Sequence, residues 1–236
     1  MITIIIPCYN EKKTIKELLT KVKNISLDKQ IIVVDDCSTD GTANILKNNL
    51  NELYDKLIIK DTNEGKGSAI IAAKPFVSGN IVVIQDADLE YDPNDLVKIY
   101  NAYNDPKIDA VYGSRVLGKK RYQSKNFINI YRIFFNHLLT IFSNLINSQK
   151  LTDAHTCYKS FRYEVFKLLP IKSKGFEFCP EVNSLLGKMR ANIVEVPITY
   201  NGRTYEEGKK IKISDGLIAI ITLIKTKFKN YNFTKK

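Results

Sequence analysis

A repeated alternation of short β-branched runs with helical periodicities restricts the fold of this chain more than any other feature. Thr3 to Ile6 and Ile31 to Val34 are strand-like runs, and between them Lys13 to Asn24 places Ile15, Leu18, Leu19 and Val22 at helical spacing. This is a β-α-β unit. Ser38 to Thr42 is rich in capping residues before a helix predicted over Ala43 to Leu50. Lys56 to Lys60 then reads as a strand, Ser68 to Val77 as a helix and Ile81 to Ile84 as the next strand, and Asp95 to Asn104 and Ala110 to Tyr112 add one more of each. Such alternation predicts an α/β fold with a mostly parallel sheet covered on both faces. With 236 residues the chain can bury a full core, and no internal repeat or low-complexity linker divides it.

In an open parallel sheet the ligand crevice lies outside the carboxyl ends of the strands. The run Ile81 to Ile84 ends there in Asp86, Asp88 and Glu90. Carboxylates at alternate positions of extended chain project on one side, and their repulsion calls for a cation. Oxygen donors suit Mg²⁺ or Mn²⁺, which fill their shells with water and substrate phosphates. The same residues also suit an acidic turn at a helix start before Pro93, with Asp92 as cap. The other strand ends repeat the theme. Pro7-Cys8-Tyr9-Asn10-Glu11 offers a ring with polar groups and Asp35-Asp36 paired carboxylates, suited to a nucleoside or to turns and caps.

Asn63-Glu64-Gly65-Lys66-Gly67-Ser68 precedes a predicted helix, and glycines beside a lysine there can cradle phosphate. It is no Walker A loop, because Lys60 stands where that motif needs glycine and Gly67 where it needs Ser or Thr. The first strand is followed by no GxGxxG, which disfavours a dinucleotide-binding dehydrogenase.

The net charge of +11 is unevenly spread. Arg115, Lys119, Lys120, Arg121, Lys125 and Arg132 occur with no acidic residue between them, and Lys225, Lys227, Lys229, Lys235 and Lys236 close the chain. Charge alone admits anionic lipid, nucleic acid or phosphate substrates, and no RNA or DNA motif accompanies it. Phe127 to Ile146 is apolar and aromatic but interrupted by polar residues, and Gly216 to Ile224 is short, so both read as amphipathic helices packed or lying at a membrane surface. Cys8, Cys37, Cys157 and Cys179 show no CxxC spacing and are expected to be packed thiols. With no basic-then-apolar leader, a cytosolic chain is expected, peripheral on the membrane and without a transmembrane helix.

Taken in order, Ile6-Pro-Cys-Tyr-Asn-Glu11, Val33-Val-Asp-Asp-Cys-Ser-Thr-Asp-Gly-Thr42, Asn63-Glu-Gly-Lys-Gly67 and Asp86-Ala-Asp88 resemble the family 2 glycosyltransferases. The resemblance continues through Gly113-Ser-Arg115, Leu151 to Lys159, Phe176 to Glu181 and Glu195 to Lys210, and the later motifs look like the dolichyl-phosphate mannose synthase and polyprenyl-phosphate branch. It implies a GT-A fold in a single domain, with 1–115 as the nucleotide-sugar and metal half and 116–236 as the acceptor half. Its implied activity is an inverting transfer of a hexose from a UDP- or GDP-sugar to a polyprenyl phosphate. By the same resemblance Pro7, Tyr9, Glu11 and Asp36 would bind the nucleoside. Asp86 and Asp88, with Glu90 in place of a frequent glutamine, would hold the metal and diphosphate. Arg115 would meet the acceptor phosphate, and Lys66, Arg203 and Lys209 would add charge at the leaving group. His137 departs from an arginine common in relatives, which puts a second acceptor contact in doubt. A sugar-hydroxyl acceptor would instead need a base, for which Asp153 and Glu181 are candidates. A sugar nucleotidyltransferase would share the sheet and the metal carboxylates.

Overall fold

The computed structural model describes residues 1–118, 127–203, 214–231 and 233. Lys119, Lys120, Arg121 and Lys125 of the basic run, Thr204 to Lys210 with Lys209, and Lys235 and Lys236 lie outside the described residues. The elements run β1 (Ile2–Cys8), α1 (Ile15–Asn24), β2 (Lys29–Asp35), α2 (Thr42–Asn49), β3 (Lys56–Ile59), α3 (Lys66–Ala73), β4 (Ile81–Ile84), α4 (Asp95–Ala102) and β5 (Ala110–Ser114). Then come α5 (Phe127–Asn147), β6 (Lys159–Arg162), α6 (Tyr163–Leu168), α7 (Phe178–Lys188), β7 (Ile193–Pro197) and α8 (Ser214–Phe228).

These strands form one sheet ordered β3-β2-β1-β4-β6-β5-β7, in which β6 alone is antiparallel to its neighbours β4 and β5. Alternate residues of each strand feed opposite faces, as the two-residue strand period requires. Ile4, Ile6, Val33 and Val83 pack with Leu18 and Val22 of α1 and Leu96 and Ile99 of α4. Ile5, Val34, Val82 and Tyr112 pack on the other face with Ile70 of α3 and Val182 and Leu186 of α7. The predicted parallel sheet covered on both sides is therefore observed. Four elements were not predicted: β6, α6, α7 and β7.

α5 and α8 pack together and against α7. They leave Phe134, Leu138, Ile141 and Leu145 of α5, and Leu217, Ile221 and Phe228 of α8, exposed, with Phe228 82% exposed. No described helix is long and apolar enough to cross a membrane.

Candidate active site

The sheet order places the strand ends in a row. Asp36 follows β2, Tyr9 and Glu11 follow β1, and Asp86 to Glu90 follow β4; because β6 runs the other way, His155 and Cys157 precede it at the same edge, and Arg115 follows β5. A cleft of about 380 Å³ runs along this row and is lined by all of these residues except Leu89, with Pro7, Lys66, Tyr200 and Arg203. Among the described residues, every one that the sequence assigned to nucleoside, metal or diphosphate therefore reaches one cleft.

The carboxylates converge by a turn and not by strand alternation. β4 stops at Ile84, and Leu89 adopts φ 61°, the left-handed region that a branched side chain rarely enters. The Glu90 amide donates to Asp88 Oδ1 at 3.1 Å. This corrects the expectation of three carboxylates on one side of extended chain. Glu90 faces the 200–203 segment, where its carboxylate accepts from the Tyr200 hydroxyl at 2.8 Å and the Arg203 amide at 2.6 Å.

Asp86 accepts from Lys66 Nζ, and Asp88 pairs with Arg203 Nη2 at 2.9 Å. Burial pushes the Asp86 carboxyl up to about 7, with the Cys157 thiol adding to the rise and the Lys66 ammonium opposing it. Burial also raises Asp88, and the charge of Asp86 adds to it against the pull of Arg203. Each carboxylate thus has one internal cation as its partner. Among the described residues no three His, Cys, Asp or Glu side chains are placed to hold a metal by themselves. Asp86 and Asp88 suit a hard divalent cation as two oxygen donors, the remainder coming from water and phosphate.

Arg203 spans the cleft. Its guanidinium donates from Nη1 and Nη2 to the Glu11 carboxylate at 3.2 and 3.0 Å as well as pairing with Asp88. Asp36 accepts from the Gly65 amide at 2.6 Å and from Lys60 Nζ at 2.5 Å, so it shapes the turn that delivers Lys66. The glycines around Lys66 answer a packing demand. A Cβ on Gly67 would lie 2.1 Å from the Ser173 carbonyl oxygen, and Gly65 has φ 100° with a Cβ 2.8 Å from the Lys174 carbonyl oxygen.

At the other end Arg115 is clamped by Asp153. Nε donates to Oδ2 at 2.7 Å, Nη2 to Oδ1 at 2.8 Å, and the Arg115 amide to Oδ2 at 3.1 Å. The guanidinium also lies 5.1 Å from the centre of the Tyr200 ring. Although burial works against it, the Arg115 charge holds the Asp153 carboxyl below its usual range. Asp153 itself is buried behind Arg115 and does not line the cleft.

Glu181 lies elsewhere. Its carboxylate accepts from the Lys172 and Ser173 amides at 3.0 and 2.8 Å and is absent from the cleft wall. Lys159 and Arg162 donate to backbone carbonyls: Lys159 Nζ to Ala154 at 2.9 Å and Arg162 Nε to Ile108 at 2.7 Å. Cys157 packs against both core clusters, as expected, and like Cys8 also lines the cleft.

Sequence reasoning missed His155 in the cleft wall. Burial and the nearby Lys159 push its ring down to about 4, and its Nε2 is buried with no hydrogen-bond partner. Its place beside Asp153 in a quoted motif was the available signal.

Comparison with known proteins agrees with the geometry. Residues 3–169 match the family model described as glycosyl transferase family 2. The chain is 30% identical over 208 residues to the low-salt glycan biosynthesis hexosyltransferase Agl6 of Haloferax volcanii, covering 87% of this chain and 49% of that protein. It is 30% identical over 216 residues to the UDP-N-acetylglucosamine–dolichyl-phosphate N-acetylglucosaminyltransferase of Methanococcus voltae, covering 84% of each. With the dolichol-phosphate mannosyltransferase of Pyrococcus furiosus identity is 29%, over 88% of this chain and 58% of that one. The chain thus spans about half the length of the first and third of these. The glucosyl-3-phosphoglycerate synthase of Mycobacterium tuberculosis, solved with Mn²⁺, UDP and glucosyl-3-phosphoglycerate, superposes with a TM-score of 0.67 at 18% identity, covering 96% of this chain and 79% of that one. This likeness shows the GT-A fold.

Proposed function

The chain belongs to glycosyl transferase family 2, and from that premise we propose that it is an inverting enzyme moving a hexose from a UDP- or GDP-sugar to a polyprenyl phosphate. Residues 1–115 form the donor half and 116–236 the acceptor half. Pro7, Tyr9, Glu11 and Asp36 hold the nucleoside end. Asp86 and Asp88 are the metal ligands, with Glu90 beside them bracing the 200–203 segment. A bound Mg²⁺ or Mn²⁺ would neutralise charge on the departing diphosphate. Lys66 and Arg203 bring two further positive charges to the same edge, preorganised for that charge. Arg115 binds the acceptor phosphate, and Asp153 positions it.

One observation carries the choice of a phosphate acceptor: neither acidic candidate is placed as a base. Asp153 is committed to Arg115 through both oxygens, and Glu181 holds a loop away from the cleft. A phosphate monoester, with a second pKa of about 6, is already ionised at neutral pH and needs no base. The apolar surface of α5 and α8 supports a lipid-borne acceptor and peripheral attachment to anionic membrane.

The test gives purified protein a panel of UDP- and GDP-sugars with polyprenyl phosphate or free sugars, and follows products. Transfer to lipid phosphate with release of nucleoside diphosphate is expected. Transfer to sugar hydroxyls alone would overturn the acceptor assignment, and release of pyrophosphate would identify a nucleotidyltransferase.

A further inference from the structure

A second concave site, of about 240 Å³, lies between α8, the 172–173 loop and Tyr231, and shares no lining residue with the cleft. Its cations are Lys172, Lys225 and Lys229, the last 5.6 Å from the centre of the Tyr231 ring, and Ser173 and Thr222 add hydroxyls, while that of Thr226 is hydrogen-bonded to Tyr231. The Lys229 amide donates to the Lys225 carbonyl at 3.1 Å, so the helical turn continues and both lysines project from one side. None of the three ammonium groups joins an ion pair among the described residues.

Glu181 is the one acid lining this groove among the described residues, and its carboxylate is already directed at the Lys172 and Ser173 amides. Three like charges gathered in a concavity raise a positive potential that an anion relieves. Hydroxyls beside ammonium groups supply the donors that phosphate oxygens accept. Within one turn of Lys225 the same helix exposes Ile221, Ile224 and Phe228, so the groove adjoins an apolar surface.

We propose that this groove binds a phosphate group, carried by an anionic lipid headgroup or by a soluble phosphate ester. It is separate from the cleft and independent of the transfer reaction assigned there.

The test compares Lys225→Gln and Lys229→Gln with Lys227→Gln in the full chain. Lys227 lies on the same helix and carries the same charge but does not line the groove. Binding of glycerol phosphate is measured by calorimetry at fixed ionic strength, and binding to phosphatidylcholine vesicles containing phosphatidylglycerol by co-sedimentation. Lys225→Gln and Lys229→Gln should each weaken binding about fivefold, the factor for one lysine close to an anionic surface. Lys227→Gln should change it less than about twofold. A response with glycerol phosphate assigns a soluble ester, and one confined to vesicles assigns a headgroup. Equal weakening by all three variants would reduce the site to diffuse charge and overturn the proposal. So would failure of the unaltered chain to bind either probe, or phosphate binding indifferent to Lys225 and Lys229, which would place the anion elsewhere.

Discussion

Asp153→Asn keeps the shape of the side chain while removing the charge that faces Arg115. Three donors point at that carboxylate, at 2.7, 2.8 and 3.1 Å, and the paired side chains are only 17% and 6% exposed. Removing one partner of a buried ion pair typically costs about 3–5 kcal/mol. Arg115 borders the cleft, so the lower end applies. At roughly 2–4 °C per kcal/mol for a chain of this size, the melting temperature should fall by about 6–12 °C at neutral pH. The pH dependence follows from the depressed Asp153 pKa. Its contribution is complete above the unfolded value near 4 and is lost as pH falls through the lower folded value, so Asp153→Asn should erase that acid limb. A double variant, Arg115→Met with Asp153→Leu, buries no unpaired charge and should recover most of the melting temperature. It should not recover acceptor binding. The KM for polyprenyl phosphate should stay raised by roughly 10- to 100-fold, the loss expected for a charged hydrogen bond, while binding of nucleoside diphosphate changes little. Calorimetric melting and initial rates at saturating donor measure both effects. If Asp153→Asn melts with the unaltered protein and its KM is unchanged, the clamp does not position Arg115.

Asp88→Asn should abolish transfer and weaken metal-dependent donor binding at least about tenfold in calorimetry, with the fold retained, because it removes a charged oxygen donor at a strand end. Gly67→Ala forces a Cβ against the Ser173 carbonyl oxygen; a melting temperature lowered by several degrees together with weaker nucleotide binding is expected, and neither would change if the loop could yield. His155 has a folded pKa of about 4 against an ordinary 6.5, so the folded state binds fewer protons. Stability is full above pH 6.5 and falls between 6.5 and 4 by up to about 3 kcal/mol. His155→Gln should flatten that limb in denaturant titrations. Replacing Ile221 and Phe228 by serine should reduce vesicle binding even at high salt, where screening has removed the part due to lysines.

β1 to β5 and the helices between them were readable because each carries its own period, and buried parallel strands are apolar on successive residues. β6 was not, since Lys159-Ser160-Phe161-Arg162 is mostly polar, and Lys159 is buried only because the Ala154 carbonyl and the Tyr112 ring receive it. α7 carries Phe178, Val182, Leu185 and Leu186 at helical spacing, a legible period that was not read; what the sequence conceals is that Glu181, Asn183 and Ser184 between them are buried as well. The carboxylates after β4 were legible as a cluster, but their turn at Leu89 was not, because a left-handed residue of that type has no local signature.

The sequence by itself determined the alternating architecture, the edge at which ligands gather and the residue types brought there, because these depend on local period and on strand direction. Tertiary structure decided which charges meet. Arg115 finds Asp153 across 38 residues, and Arg203 finds Glu11 across 192. It also removed Glu181 from the cleft and put His155 into its wall. Such pairings depend on strand order, above all on the antiparallel β6 inserted between β4 and β5, and no local pattern of residues encodes that order.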